Sequence, residues 1–316
     1  MHNPPPKYDV LISEVGPRDG LQSISDIMST PAKCRWIDAL VEAGLQEIEV
    51  GSFVSAKLLP QMADTAEVVK HACTLQGLRV MALVPNLKGA QLALQNGAHK
   101  ITLPVSASEA HSLANVRKTH SQMIAELKAV MDHVRAHNEQ ATYPVSVEVG
   151  LSTAFGCTLQ GHVPEDDVIR LAHACAETGV DEVGLSDTTG MANPAQVKRL
   201  FTRLQQELGK HAGAAHMHNT RGLGLANCLA AWEAGVRTFD SSMAGLGGCP
   251  YAPGASGNVV TEDLVFMFEA MGVRTGVSLD GLMAARAVLR EGLPKAPLYG
   301  MVAEAGLPKD FSPLYA

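Results

Sequence analysis

A closed barrel of eight parallel strands with helices outside, a (β/α)8 fold of the TIM-barrel kind, is what this sequence predicts, and three features predict it. Short β-rich runs recur eight times with helical patterns between most of them. A glycine closes helix after helix just before a strand begins. No Gly-x-Gly-x-x-Gly follows the first strand, which removes the commonest reason for the rival architecture, an open doubly wound sheet.

The strand-like runs are DVLISEV (9–15), QEIEVGS (46–52), RVMALV (79–84), HKITLPV (99–105), PVSVEVG (144–150), DEVGLSD (181–187), AAHMHN (214–219) and VRTFDSS (236–242). Helix starts are legible between them. Asn193 followed by Pro194 reads as an N-cap and first-turn proline, and Pro164 with Glu165, Asp166 and Asp167 sets carboxylates at the positive end of a helix dipole. Thr261 with Glu262 and Asp263 opens another. Gly44, Gly97, Gly179 and Gly235 each stand at a helix end ahead of a strand, where a left-handed residue is needed and glycine supplies it without steric cost. Residues 119–138 read as the helix before strand five, lengthened by an insertion around 106–118. The 316 residues carry no low-complexity linker, so one domain, 1–316, is expected, with the barrel over about 9–271 and C-terminal helices forming an appended cap over about 272–316.

Composition excludes some function classes. With 46% hydrophobic and 18% charged residues, a net charge of −7 and no Lys/Arg block, the chain is a soluble globular protein with no nucleic-acid or anionic-membrane surface. The six cysteines, at 34, 73, 157, 175, 228 and 249, form no Cys-x-x-Cys, the usage of a reducing compartment. MHNPPPKYDV has no signal pattern and no apolar run reaches membrane-spanning length, so a cytoplasmic location is expected.

A barrel of this kind carries its active site at the carboxyl ends of the strands. Polar residues odd for buried strands fall there: Arg18 and Asp19 after strand one, Glu49 in strand two, Asp187 at the end of strand six, and His216 and His218 on strand seven. Alternate strand residues share a face, so the two imidazoles would make half a metal shell. Singly, each has a plain alternative: a turn at Asp19, a surface ion pair at Arg18, a solvated strand end at Glu49, a turn cap at Asp187, a hydrogen-bonded histidine pair. All would have to be idle at one rim. The loop GLGGCPYAPGASGN (245–258), rich in glycine and proline, sets Cys249 at its tip and Asn258 at its end, and a thiol over a polar pocket reads as catalytic.

The motifs EVGPRDGLQ (14–22), EVGSF (49–53), VPNLKG (84–89), SDTTG (186–190), HMHNT (216–220) and GLGGCPYAPGASGNVVTEDLVFM (245–267) together resemble the 3-hydroxy-3-methylglutaryl-CoA lyase family among the divalent-metal TIM-barrel lyases, over about residues 10–275. The resemblance implies that Asp19, His216, His218 and Asn258 bind one divalent cation, Mg²⁺ or Mn²⁺ before Zn²⁺, as mixed oxygen and imidazole ligands suit. It implies that Arg18 is catalytic, that Cys249 is the loop thiol, that Asp19 or His218 takes part in proton transfer, and that Gln22, Glu49, Ser52 and Asp187 shape the substrate pocket. The implied reaction is retro-Claisen cleavage of a 3-hydroxyacyl-CoA, 3-hydroxy-3-methylglutaryl-CoA giving acetyl-CoA and acetoacetate. The base is left open among Asp19, a metal-linked water and His218. A homo-oligomer, dimer or larger, is the family expectation.

Four places depart from the family pattern. Asn219 stands where His-x-His is usually followed by Asp, Gly184 where a serine is usual, Ser23-Ile24-Ser25 where Asn-Glu-Lys is usual, and Asn115-Val116-Arg117 where Asn-x-Asn is usual. None is a metal ligand, and several fall where the distal carboxylate of methylglutaryl-CoA would be held. (R)-Citramalyl-CoA, yielding acetyl-CoA and pyruvate, is therefore an alternative substrate. Condensing synthases of the isopropylmalate and homocitrate type share the Arg-Asp and His-x-His arrangement, but this chain lacks their long C-terminal extension and has the cysteine loop.

Overall fold

The computed structural model describes residues 8–247 and 257–313. Eight strands, β1 (Leu11–Glu14), β2 (Glu47–Ser52), β3 (Arg79–Leu83), β4 (Lys100–Ser106), β5 (Ser146–Ser152), β6 (Glu182–Ser186), β7 (Ala212–His216) and β8 (Thr238–Ser241), pair in parallel in chain order, and β8 closes back on β1. The barrel expected from the sequence is the barrel observed.

Helices cover it outside: α1 (Thr30–Glu42), α2 (Thr65–Ala72), α3 (Leu87–Gln95), α4 (Glu109–Asn115), α5 (His120–Asn138), α6 (Glu165–Ala176), α7 (Pro194–Leu208), α8 (Gly224–Glu233), α9 (Thr261–Ala270), α10 (Leu279–Gly292) and α11 (Met301–Ala305). No helix among the described residues is long and apolar enough to cross a membrane. Strand alternation builds the layers. On β5, Val147, Val149 and Leu151 are fully buried against the helices, while Glu148, Gly150 and Ser152 face the barrel interior. The four glycine joints adopt left-handed φ of 103°, 90°, 92° and 102° at Gly44, Gly97, Gly179 and Gly235, where a Cβ would be strained. Asn193 caps α7 by accepting from Gln196 N at 3.1 Å.

Two local readings are corrected. β7 ends at His216, three residues earlier than the sequence pattern suggests, and His218 lies beyond it in an isolated bridge to Asn258. The chain leaves the strand because His218 pairs with the segment after β8 rather than with β6. Thr261 does open α9, but its hydroxyl donates inward to Glu14 Oε2 at 2.6 Å instead of capping the helix. The acidic pair behind it is buried too: Glu262 accepts from Ala244 N and Arg286, and Asp263 accepts from the first two backbone N–H groups of α11.

Toward the amino ends of the strands the interior holds a closed charge cluster. Lys100 Nζ lies 2.6 Å from Glu148, 3.1 Å from Glu182 and 3.5 Å from Glu47, joining β4 to β5, β6 and β2. Its position fixes the floor of the site above it.

Candidate active site

β1 runs directly into a π-helical turn, Gly16–Gly20, in which Val15 O receives the N–H groups of Arg18, Asp19 and Gly20. Such turns concentrate at functional sites because they bulge side chains out of register. Glu14 braces this one, its Oε1 accepting from Gly16 N at 2.8 Å and Met243 N at 2.9 Å. A side chain at Gly16 would strike that carboxylate at 2.5 Å, which is why glycine stands there.

The turn delivers Arg18 and Asp19 to the carboxyl-end mouth. Glu49 grips the guanidinium from one side, with Arg18 Nε and Nη2 both 2.5 Å from Glu49 Oε2, and Asp19 Oδ1 accepts from Nη1 at 2.6 Å on the other. Gln22 Nε2 donates to the same Asp19 oxygen at 2.9 Å. The other Asp19 oxygen, Oδ2, lies 2.6 Å from Asn258 Nδ2 and 3.8 Å from His216 Nε2. His216 and His218 meet through their Nε2 atoms at 3.2 Å. Thus Asp19, His216, His218 and Asn258, from three distant parts of the chain, converge.

Electrostatics sorts their roles. Burial pushes the Asp19 carboxyl up, but Arg18, the two imidazoles and the Asn258 amide overcome it and hold it well below the usual carboxylate range. Burial, reinforced by neighbouring His216, lowers His218 to about 4, so it is a neutral imidazole at neutral pH. Burial is the largest single influence on His216 and disfavours its charge, yet the hydrogen bond to Asp240 at 2.9 Å and the charges of Asp240 and Asp19 together outweigh it and raise it. A carboxylate behind a ligating imidazole fixes its tautomer and increases its basicity. Glu49, raised by burial against the pull of Arg18, stands at about 7.

The donor set fits a divalent cation. Ligand atoms of Asp19, His216 and His218 all lie within 4.8 Å of one another. Two imidazole nitrogens face each other at 3.2 Å, and with Asp240 taking the His216 Nδ1 proton, His216 Nε2 presents a lone pair. Asn258 Oδ1 is buried and has no partner among the described residues. A half-turn of that amide exchanges Oδ1 with Nδ2 and gives the cluster a second oxygen ligand.

Beside the cluster opens a cavity of about 860 Å³, within the range of small-molecule sites. Arg18, Gln22 and Glu49 line it, as the sequence suggests, and so does Arg117 at the departure after β4. Ser52 and Asp187 do not line it. Ser52 is 1% exposed, its backbone tied to Thr65 Oγ1. Asp187 Oδ1 accepts from Met191 N at 2.8 Å and Ala192 N at 3.1 Å, the contacts of a turn cap, while its Oδ2 is buried with no partner among the described residues. Cys249 lies outside the described residues.

Sequence reasoning overlooked Asp240 behind His216, Glu14 beneath the π-turn, and His111, whose Nδ1 meets Ser106 Oγ at 2.7 Å on the cavity wall. An aspartate inside TFDS, the β8 run, was the available signal for the first.

Comparison with known proteins gives the chain its family. The model of the HMGL-like family matches residues 9–289. Hydroxymethylglutaryl-CoA lyase of Bacillus subtilis is 41% identical over 90% of this chain and 94% of its own length. The human mitochondrial hydroxymethylglutaryl-CoA lyase is 42% identical over 87% of this chain and 83% of its own. A crystallised lyase of this kind from Acinetobacter baumannii, in complex with coenzyme A and 3-methylmalate, superposes with a TM-score of 0.89 at 38% identity, covering 99% of this chain and all of its own.

Proposed function

The chain belongs to the HMGL-like family, and from that premise we infer that it is a carbon–carbon lyase that cleaves 3-hydroxy-3-methylglutaryl-CoA to acetyl-CoA and acetoacetate. The observation that carries this reading is the meeting of Arg18, Asp19, His216, His218 and Asn258 at one mouth of the barrel, beside a cavity large enough for an acyl-CoA headpiece.

Asp19, His216, His218 and Asn258 would hold the metal of this divalent-metal family, and their mixed set of two oxygens and two imidazole nitrogens suits Mg²⁺ or Mn²⁺ with further oxygen ligands from substrate or water. When bound, the cation supplies Lewis-acid polarisation of the substrate's hydroxyl and adjacent carbonyl. Asp240 holds the Nδ1 proton of His216 and with it the ring's orientation. Breaking the C2–C3 bond sends an electron pair onto the thioester oxygen. Arg18 is placed to receive that charge, since its pairing with Glu49 and Asp19 fixes the guanidinium while its remaining N–H groups stay available to a cavity ligand. It stays protonated at any working pH. Asp19 and His218 are the candidate acceptors of the hydroxyl proton, and Cys249 the proposed donor to C2 of the enolate.

The departures from the family pattern narrow the substrate question. Asn219 Oδ1 accepts from Gly224 N at 2.9 Å, a turn-building contact away from the cavity. Gly184, Ser23 and Arg117 do line the cavity, which supports testing (R)-citramalyl-CoA beside methylglutaryl-CoA. Incubating the Mg²⁺- or Mn²⁺-loaded protein with each thioester and identifying the products by mass decides the matter. Acetyl-CoA with acetoacetate supports the reading, pyruvate replaces the substrate, and inactivity on both overturns it.

A further inference from the structure

Interiors of eight-stranded barrels are filled by layers of side chains in which branched residues dominate. Here several inward positions around the metal ligands are small: Pro104 on β4, Gly150 on β5, Gly184 and Ser186 on β6, and Ala214 on β7. The cavity continues between them to Thr102, Glu148 and Asp240.

Gly150 and Gly184 are ladder partners, yet they are glycine for different reasons. A Cβ at Gly184 would meet Ala214 O at 2.7 Å and Glu148 Oε1 at 3.0 Å, so the backbone leaves no choice. A Cβ at Gly150 would find one heavy atom within 4 Å, Ser186 Oγ at an easy 3.8 Å, and no left-handed φ requires glycine there. Glycine inside a strand costs stability and gives nothing to pack, and it often marks the approach of a ligand. The one atom near that Cβ, Ser186 Oγ, belongs to the ladder partner of His216.

Charge decides which part of a substrate belongs in this recess. Coenzyme A is too large to enter a barrel and must remain at the mouth. The free carboxylate of a glutaryl arm would face Glu148 and Asp240, two acidic side chains on the cavity lining, the second with no Lys or Arg ion-paired to it among the described residues. What remains on the reacting carbon is its third substituent. Pro104, Gly150 and Ala214 offer that group an apolar wall, and Thr102 Oγ1, buried without a partner among the described residues, ends the recess.

Resting on the lyase reading, we propose that Gly150 is a specificity-determining residue that opens a chamber for the C3 substituent, so that the substrate class extends to 3-hydroxyglutaryl-CoA thioesters bearing an uncharged C3 chain longer than methyl. The chemistry balances as for the methyl compound. The C2–C3 bond breaks, the hydroxyl loses its proton as the ketone forms, C2 takes up a proton, and the products are acetyl-CoA and the 3-oxo acid that carries the longer chain.

The test uses the full chain loaded with Mg²⁺ and three synthetic thioesters, 3-hydroxy-3-methyl-, 3-ethyl- and 3-propylglutaryl-CoA. Product masses and kcat/KM are compared for wild type, Gly150→Val and Gly150→Ala, each checked by thermal melting. Wild type is expected to cleave the propyl compound within about 10-fold of the methyl one, and Gly150→Val to lower the propyl-to-methyl ratio by about 10–200-fold, the discrimination a lost pocket volume of this size gives. Gly150→Ala moves the ratio in the same direction by less, and keeps the test open should the valine variant not fold. Cleavage of the methyl compound with the propyl compound trailing by more than about 200-fold in wild type overturns the chamber and leaves the lyase standing. An unchanged ratio in a folded Gly150 variant overturns it too. Inactivity on all three strikes the lyase reading and the inference with it.

Discussion

The barrel buries two charged clusters, one at each end, and they behave differently. At the amino end, Lys100 is shared among Glu148, Glu182 and Glu47, and Arg79 lies 3.5 Å from the outer Glu47 oxygen. That cluster is held by ion pairs, and its one buried oxygen without a hydrogen bond among the described residues, Glu47 Oε2, still has the Arg79 cation beside it. At the carboxyl end, Arg18 satisfies Glu49 and one oxygen of Asp19, but Glu49 Oε1, His218 Nδ1 and Asn258 Oδ1 are buried with no hydrogen-bond partner among the described residues. Unmet buried polar atoms cost free energy, and a site tolerates that cost where a ligand completes it. Buried charge by itself therefore says little about function. What separates the two ends is whether an unmet atom faces a cation already in place, as Glu47 Oε2 faces Arg79, or stands, as His218 Nδ1 and Asn258 Oδ1 do, in a cluster of convergent metal-type donors.

The difference can be broken most directly at Asp19. Asp19→Ala removes a proposed metal ligand and one of the two carboxylates that fix Arg18, so cleavage is expected to fall at least 10³-fold, or about 4 kcal/mol of transition-state stabilisation. Thermal melting with added Mn²⁺ gives a second reading: wild type should rise in melting temperature by mass action, and the variant should not. A variant that still responds to Mn²⁺ would detach the metal from this cluster.

Lys100→Met probes the other end. It strands the buried Glu148 without its cation and leaves Glu47 only Arg79 at 3.5 Å, and breaking a buried ion pair from one side typically costs about 3–5 kcal/mol. Denaturant unfolding should show that loss while the Mn²⁺ response persists. If stability holds and the Mn²⁺ response disappears, the two ends are not separable. Between the clusters, Gly184→Ala should cost about 1–3 kcal/mol, because its methyl meets Ala214 O at 2.7 Å on a rigid ladder. Gly150→Ala, with open space at the same level, should be close to neutral in the same unfolding measurement.

How much of this was legible in the chain follows from what each feature depends on. Gly44, Gly97, Gly179 and Gly235 betray the barrel because a helix-to-strand joint is a local requirement, written in one residue. Arg18, Asp19, His216 and His218 stand out because polar side chains at strand ends are exceptions to an apolar pattern. Ser52 and Asp187 looked equivalent to them but do not line the cavity, and for Asp187 the side chain is turned by partners local sequence does not mark, the Met191 and Ala192 N–H groups. The end of β7 at His216 was likewise hidden, because it is set by a bridge to Asn258 some forty residues away. Asp240 and Lys100 escaped notice for the same reason. Their meaning lies in cross-strand register, which closure of the barrel creates and local sequence does not encode.

Glu14 makes the finest test of the comparison, being a self-satisfied group placed at the open end. Its carboxyl is fully buried, holds Gly16 N and Met243 N with one oxygen, and takes the Thr261 hydroxyl with the other. Burial pushes its pKa from the ordinary 4.5 to about 8, against the downward pull of those three donors. The folded protein therefore retains a proton that the unfolded chain releases across that interval. With more protons bound in the folded state, stability from this group is complete below about pH 4.5 and is lost as pH rises through about 8. In Glu14→Gln, Oε1 keeps both backbone donors and the amide donates to Thr261 Oγ1, whose own proton then serves Ser241 Oγ at 2.8 Å. Folding should survive while the decline with pH flattens by up to about 1.4 kcal/mol per pH unit, the most one proton can contribute. Denaturant midpoints at half-unit steps from pH 5 to 8 measure that slope directly. A Glu14→Gln protein whose stability falls with pH as steeply as the wild type would show that this carboxyl is ionised in the fold, and that the open end tolerates an unneutralised buried charge which the closed end does not.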